Sequence, residues 1–198
     1  MTRMPLPFAQ LGLGLAVAAI VAVAVVLGGR YWRRREAARE RLRKVGAIAY
    51  DMIRDVLVPD GNEGQMHLDF VLLTASGMLV VDLRDVPGVI FGSESMDEWT
   101  VMDGPRRRTF PNPLGPLYDR IAAVKLVAGR VPVDGRVVFT ARASFPKGQP
   151  PRVSMIEALQ SEFPVADRGL DPSPVAGWAE EWQALRAVSV PSPLARRG

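Results

Sequence analysis

Hydrophobic and polar residues follow three patterns along the chain, and the first is a block. From Phe8 to Gly29 there are 22 consecutive residues without a charge, with Gln10 the only clearly polar side chain. At about 1.5 Å per residue, a helix of that length crosses the roughly 30 Å hydrocarbon layer of a bilayer. The run is long for a signal-peptide core, only Arg3 is charged ahead of it, and no small-residue cleavage site precedes the basic cluster that follows. The pattern predicts a short tail over residues 1–7 and an uncleaved transmembrane helix over 8–29. Residues 30–49 lack proline and are rich in Arg, Glu and Ala, which predicts a basic juxtamembrane helix leading out of the anchor.

Beyond Tyr50 the apolar residues come in short runs of the kind that form strands. Met52 to Val58 reads as a first strand, ended by Pro59-Asp60-Gly61-Asn62. Residues 66 to 85 read as a β-hairpin with Thr74-Ala75-Ser76-Gly77 at the turn, where Gly77 is free to take positive φ. A loop symmetric about Ala75 and Ser76 sets Asp69 opposite Asp82 and His67 opposite Arg84. A glycine bulge there would make the acidic pair diagonal instead. Alternation puts Asp69, Val71 and Leu73 on one face with Met78, Val80, Asp82 and Arg84. Val86 to Pro113 is broken by glycines, with short strands expected around Val89-Ile90-Phe91 and Trp99-Thr100-Val101 and a solvated loop at Arg106-Arg107-Arg108.

The third pattern is helical spacing. Apolar residues at 114, 117, 121, 124, 127 and 128 predict a helix over Leu114 to Ala128. Val137-Val138-Phe139-Thr140 is a short buried strand, and Ser154-Met155-Ile156-Glu157 matches a capping box opening a helix to about Phe163. Ser173-Pro174 starts a last helix through Ala187, with Trp178, Trp182 and Leu185 on one face, followed by a loose tail. The order helix, three strands, helix, strand describes an α/β domain on a mixed sheet, with a C-terminal helix and tail over 166–198.

Composition narrows this picture. The chain has 198 residues, enough for one membrane segment and one compact domain. Residues 30–49 carry a net charge of +6, whereas residues 50–198 carry −3. The basic balance therefore belongs to the juxtamembrane segment, and the globular part lacks the overall positive field that drives nucleic-acid binding. Arg30, Arg33, Arg34 and Arg35 directly after the apolar run place the C-terminal part in the cytoplasm by the positive-inside bias, with the N-terminus outside. The expected setting is the cell's inner (plasma) membrane, crossed once, with residues 8–35 meeting lipid and its anionic headgroups. Absent cysteines exclude thiol catalysis and cysteine-ligated zinc.

Candidate chemistry sits on the hairpin. Two carboxylates side by side repel unless a cation lies between them, so Asp69 and Asp82 form a candidate metal site. The plainer alternative is that one is solvated or paired with Arg84. His67 is the single histidine and reads as packed or solvated rather than as a general base. The glycines around Ser76 and from Gly88 to Gly92 lack phosphate-loop spacing.

The residues Met66 to Leu73, Ser76 to Arg84, Gly88-Val89-Ile90-Phe91-Gly92-Ser93, Trp99 and Phe110-Pro111-Asn112-Pro113-Leu114 resemble the nuclease-related domain family, NERD, over residues 36–165. That family's core looks like that of the PD-(D/E)XK nucleases, so the resemblance implies a restriction-endonuclease-like fold. It also implies a site built from a Glu on the first helix, an Asp on the second strand and a Glu-x-Lys on the third. Glu36 is the implied helix acid, with Glu40 as alternative, and Asp69 matches the Asp. Asp82 stands at the Glu position and Arg84 at the Lys position. Asp69, Asp82 and the backbone carbonyl of Leu83 would hold magnesium or manganese. The departures concern the protonated chemistry: arginine cannot take a proton from water, although its charge can steady a phosphate. Pro116 also stands where the family often has Gln.

Two functions follow. One is a non-catalytic, membrane-anchored binding or scaffolding module in which Arg84 replaces the metal, its protein partner unnamed by the sequence. The other is a divalent-metal-dependent nuclease acting on DNA or RNA, with Asp69, Asp82, Arg84 and Glu36 as its catalytic set.

Overall fold

The computed structural model describes residues 8–166 and 173–193, with side chains over 21–166 and 175–193. The chain divides into two compact units, Met1–Leu42 and Arg43–Gly198. The first unit is carried by helix α1 (Phe8–Gly46), a single helix of 39 residues. It runs from the apolar block into the basic segment without a break, as the absence of proline and the Ala, Arg and Glu content allow. Among the described residues no helix is long and apolar enough to cross a membrane. Of the predicted span 8–29, the side chains of 8–20 lie outside the described residues, and those of 21–29 make only its second half.

The second unit is a mixed α/β fold with two sheets. Its elements after α1 are β1 (Asp51–Pro59), β2 (Gln65–Thr74), β3 (Gly77–Arg84), β4 (Gly88–Phe91), β5 (Glu98–Asp103), β6 (Arg106–Pro111) and helix α2 (Leu114–Ala128). There follow β7 (Val133–Phe139), β8 (Ala143–Ser144), β9 (Val153–Met155), α3 (Leu159–Glu162), α4 (Ser173–Ala176), α5 (Ala179–Val188) and β10 (Val190–Pro191). The larger sheet runs β10-β1-β2-β3-β7-β9 and the smaller β6-β5-β4-β8. The first three neighbour pairs of the larger sheet are antiparallel, while β7 lies parallel to β3 and β9 parallel to β7. A chain leaving β3 must therefore cross over to return in the same direction, and α2 makes that crossing.

Two layers of packing fix the larger sheet. Val71, Leu73, Met78, Val80, Val137 and Phe139 join Leu117, Ile121 and Val124 of α2 in one core. Leu72, Leu79, Val81 and Val138 face the other way, against Val45, Ile48, Ala49, Ile156 and Leu159. Gly135 on β7 lets α2 come close, because a Cβ there would stand 2.6 Å from Ile121 Cδ1. The smaller sheet is tied in by Trp99, fully buried, whose ring lies 6.0 Å from Phe110 and 6.3 Å from both Phe139 and Phe145. Such pairs add about 0.5–1.5 kcal/mol each beyond their burial.

Several sequence expectations are corrected here. Arg106–Arg108 are not a loop but the start of β6, an edge strand paired to β5. Ser154 does not cap a helix; it is buried in β9 beside β7, and its hydroxyl donates to Glu162 at 2.8 Å. The last helix is two, α4 and α5, separated at Gly177-Trp178. The tail beyond it is not loose as far as it is described, since β10 pairs with β1 and Ser192 N–H donates to the Asp55 carbonyl at 2.8 Å.

Candidate functional site

The hairpin of β2 and β3 sets the site. Its ladder runs Thr74↔Gly77, Leu73↔Met78, Leu72↔Leu79, Val71↔Val80 and Phe70↔Val81, the register expected from a loop centred on Ala75 and Ser76. Gly77 carries φ +122°, and a Cβ there would stand 2.3 Å from the Pro132 carbonyl oxygen, so the turn requires glycine. The ladder stops after Phe70↔Val81, one step short of Asp69 and Asp82. There Asp69 Oδ2 accepts the Leu83 backbone N–H at 2.9 Å, a side chain taking over where strand pairing ends.

The opposite edge of β2 breaks at the same point. Asp55 of β1 falls across from Asp69, between the rungs Arg54↔Phe70 and Val56↔Leu68, yet the two form no rung. Asp55 has φ +52°, a left-handed conformation that Asp tolerates better than most residues. The residues joining the α2 core change parity there, from Ile53 to Val56 in β1 and from Leu68 to Val71 in β2. Asp69 thus stands where the β1–β2 ribbon twists, free of ladder pairing on both sides.

Asp82 is the buried member of the pair, 3% exposed. Its Oδ2 accepts from two guanidinium groups, Arg84 Nη2 at 2.8 Å and Arg120 Nη1 at 3.1 Å. Arg120 comes from α2, and its Nε also donates to the His67 carbonyl at 2.9 Å, so one side chain joins the helix to both strands. His67 Nδ1 lies 3.5 Å from Asp69 Oδ1. Among the described residues, His67 Nε2 and Arg84 Nε are buried without a hydrogen-bond partner. Asp69's carboxyl is pushed above its ordinary value by burial first and by the Asp82 charge second, against the pull of the Leu83 N–H, His67 and Arg120.

The structure therefore brings together Asp69, Asp82, Arg84 and Leu83, and adds Arg120. Leu83 enters through its N–H to Asp69. Arg84 pairs with Asp82 rather than bridging both carboxylates. Glu36 and Glu40 lie on α1 in the first unit. Arg120 was the residue sequence reasoning missed. The signal was its position, one residue before Ile121 on the border of the buried stripe, where a long side chain lays its stem along the apolar face.

Magnesium and manganese take about six hard oxygen ligands, carboxylates foremost. In this site Asp82 Oδ2 is already filled by two cationic donors, and Asp69 Oδ2 by a backbone N–H. Among the described residues no three acidic or histidine side chains come close enough to hold a metal ion. The donor set as built does not fit a divalent cation.

A mixed α/β fold with an acidic pair where its central hairpin opens is the class that the geometry defines. The family model described as nuclease-related domain matches residues 30–140, more than half of the chain, and the chain belongs to that family. An uncharacterized protein of Bacillus anthracis is 24% identical over 107 residues, covering 54% of this chain and 50% of its own length. The chain thus spans about half the length of the curated relative it matches. No solved structure matches.

Proposed function

We propose that this chain is a membrane-tethered module of PD-(D/E)XK-like fold whose nuclease-type site is degenerate, and that it binds or scaffolds a partner on the cytoplasmic face without cleaving nucleic acid. The observation that carries this reading is the double guanidinium contact on Asp82 Oδ2, at 2.8 and 3.1 Å. Fixed positive charge occupies the position from which a metal would draw its first ligand, and neither arginine can serve as the proton acceptor that water activation needs. The tether rests on the uncharged run 8–29 and the arginines after it. Val21, Val23, Val25, Val26 and Leu27 are exposed along α1, which suits a lipid surround, and Tyr31 and Trp32 are exposed next to Arg33–Arg35.

One observation favours a second reading, an active divalent-metal nuclease. Asp69 and Asp82 are close enough for the charge of one to raise the other's pKa, the mutual repulsion that a bound cation relieves. The deciding experiment incubates the full chain in mild detergent with labelled single- and double-stranded DNA and RNA in magnesium or manganese, beside Asp69→Ala. Identical product levels for both proteins are expected. Cleavage by the wild type that Asp69→Ala abolishes would establish the nuclease and end the non-catalytic reading.

A further inference from the structure

Of the strands that end the two sheets, β10 and β8 have two residues each and β9 has three. β6, the outer strand of the smaller sheet, has six and is exposed from Arg106 to Thr109. Its inner side is fixed by β5, and Phe110 lies edge-on to the fully buried Trp99 at 6.0 Å, so the edge is preformed. The Asn112 N–H donates to the Asp97 carbonyl at 2.8 Å, and inward bonds recur at every second residue, at Phe110, Arg108 and Arg106. The N–H and C=O groups of Arg107 and Thr109 therefore point away from β5, where no strand covers them among the described residues. Alternation turns Arg107 to one face and Arg106 and Arg108 to the other. Among the described residues Arg106 and Arg107 make no ion pair, and Arg108 reaches only Asp103, at 4.0 Å.

We propose that β6 is a docking edge for an acidic peptide segment, which adds to the smaller sheet as an antiparallel strand. Three adjacent arginines keep the edge from pairing with a copy of itself, and the same charges favour a strand of opposite sign. An incoming residue that shares hydrogen bonds with Arg107 has neighbours opposite Arg106 and Arg108, so three consecutive Asp or Glu residues meet all three guanidinium groups. A peptide suits this edge better than a polyanion does. The arginines span only about 7 Å of strand, and residues 50–198 carry a net charge of −3, which supplies no wider positive field. The inference rests on the reading of the chain as a binding module and deepens it by naming the partner's chemistry.

The test follows the fluorescence anisotropy of a fluorescein-labelled peptide, Thr-Val-Glu-Glu-Glu-Val-Thr, titrated with the full chain in non-ionic detergent at about 150 mM salt. A control peptide carries N-methyl groups on its three glutamates, which keeps every charge and removes the N–H groups of both strand edges. Wild type is expected to bind the first peptide with a dissociation constant below about 1 mM and the control at least tenfold more weakly. Arg106→Glu/Arg107→Glu/Arg108→Glu is expected to lose binding. Thr109→Pro, which deletes an outward N–H that β5 does not use, is expected to weaken it about fivefold. Should Thr109→Pro not fold, the control peptide tests the same backbone pairing on the wild type. Equal binding of both peptides, or binding that survives the triple arginine change, would assign the contact to charge alone, the arginines of residues 30–49 included, and overturn the proposal. Tighter binding of a single-stranded oligonucleotide through the same arginines would overturn it too, as would no peptide binding up to about 1 mM. None of these outcomes touches the non-catalytic reading, which the cleavage assay decides separately.

Discussion

Replacing Asp82 with Asn and Arg120 with Met, singly and together, measures how far the site is held as an ion cluster. The Asp82 side chain is 4% exposed and that of Arg120 17%, so neither charge can turn to water when its partner goes. Removing one member of a buried pair costs about 3–5 kcal/mol. Arg120→Met falls below that range, at about 2–3 kcal/mol, because Asp82 keeps Arg84 at 2.8 Å. Asp82→Asn strips charge from both arginines; Arg84, at 36% exposure, can re-solvate whereas Arg120 cannot, giving about 3–4 kcal/mol. In the double variant the unpaired charge of Arg120 is gone, and the two losses should fall short of additivity by about 1.5–3 kcal/mol. Denaturant unfolding followed by tryptophan fluorescence reads this, since Trp99 and Trp182 are buried reporters. Losses that add to within about 0.5 kcal/mol would refute the pairing as an energetic unit.

Other perturbations follow from the same packing and charge arguments. Gly92→Ala would place a Cβ 2.3 Å from Trp99 Cδ2 in the aromatic cluster, and a loss of about 1–3 kcal/mol in denaturant unfolding is expected. Asp69's carboxyl is raised above 3.8, so the folded state holds that proton more tightly than the unfolded one, and its ionised form costs stability above the folded pKa. Asp69→Asn should then unfold at higher denaturant than wild type near pH 7 and lose that advantage as the pH falls to about 3. Asp51 has the opposite sign: burial raises its carboxyl, but the Trp182 indole N–H, the Met52 N–H and Arg186 outweigh it and bring it below 3.8. The stability it contributes is present above the unfolded pKa and lost as pH falls through the folded one, so the destabilisation by Asp51→Ala should shrink on acidification.

What was legible in the sequence was local. The hairpin register followed from a two-residue loop, and β4, β5 and α2 from short apolar runs and helical spacing. β6 hid behind three consecutive arginines, because an edge strand outside the core shows no alternation of apolar and polar residues. Ser154 lay in a sound capping pattern, yet pairing with β7 buried it in a strand, a tertiary contact overriding a local one. The twist at Asp55 and the reach of Arg120 depend on which strand lies across from β2 and how α2 crosses it, which no local pattern encodes. The carboxylate pair was thus readable as a pair, while its second counter-ion was not.

The most direct test of a guanidinium-compensated site is calorimetric titration of Mg2+ and Mn2+ into the full chain in detergent, with Asp69→Ala titrated in parallel. The account predicts the same heats for both proteins up to about 10 mM, with no saturable event at the carboxylate pair. Saturable binding by the wild type that disappears in Asp69→Ala would contradict it, and would mean that Arg84 and Arg120 give way to a metal.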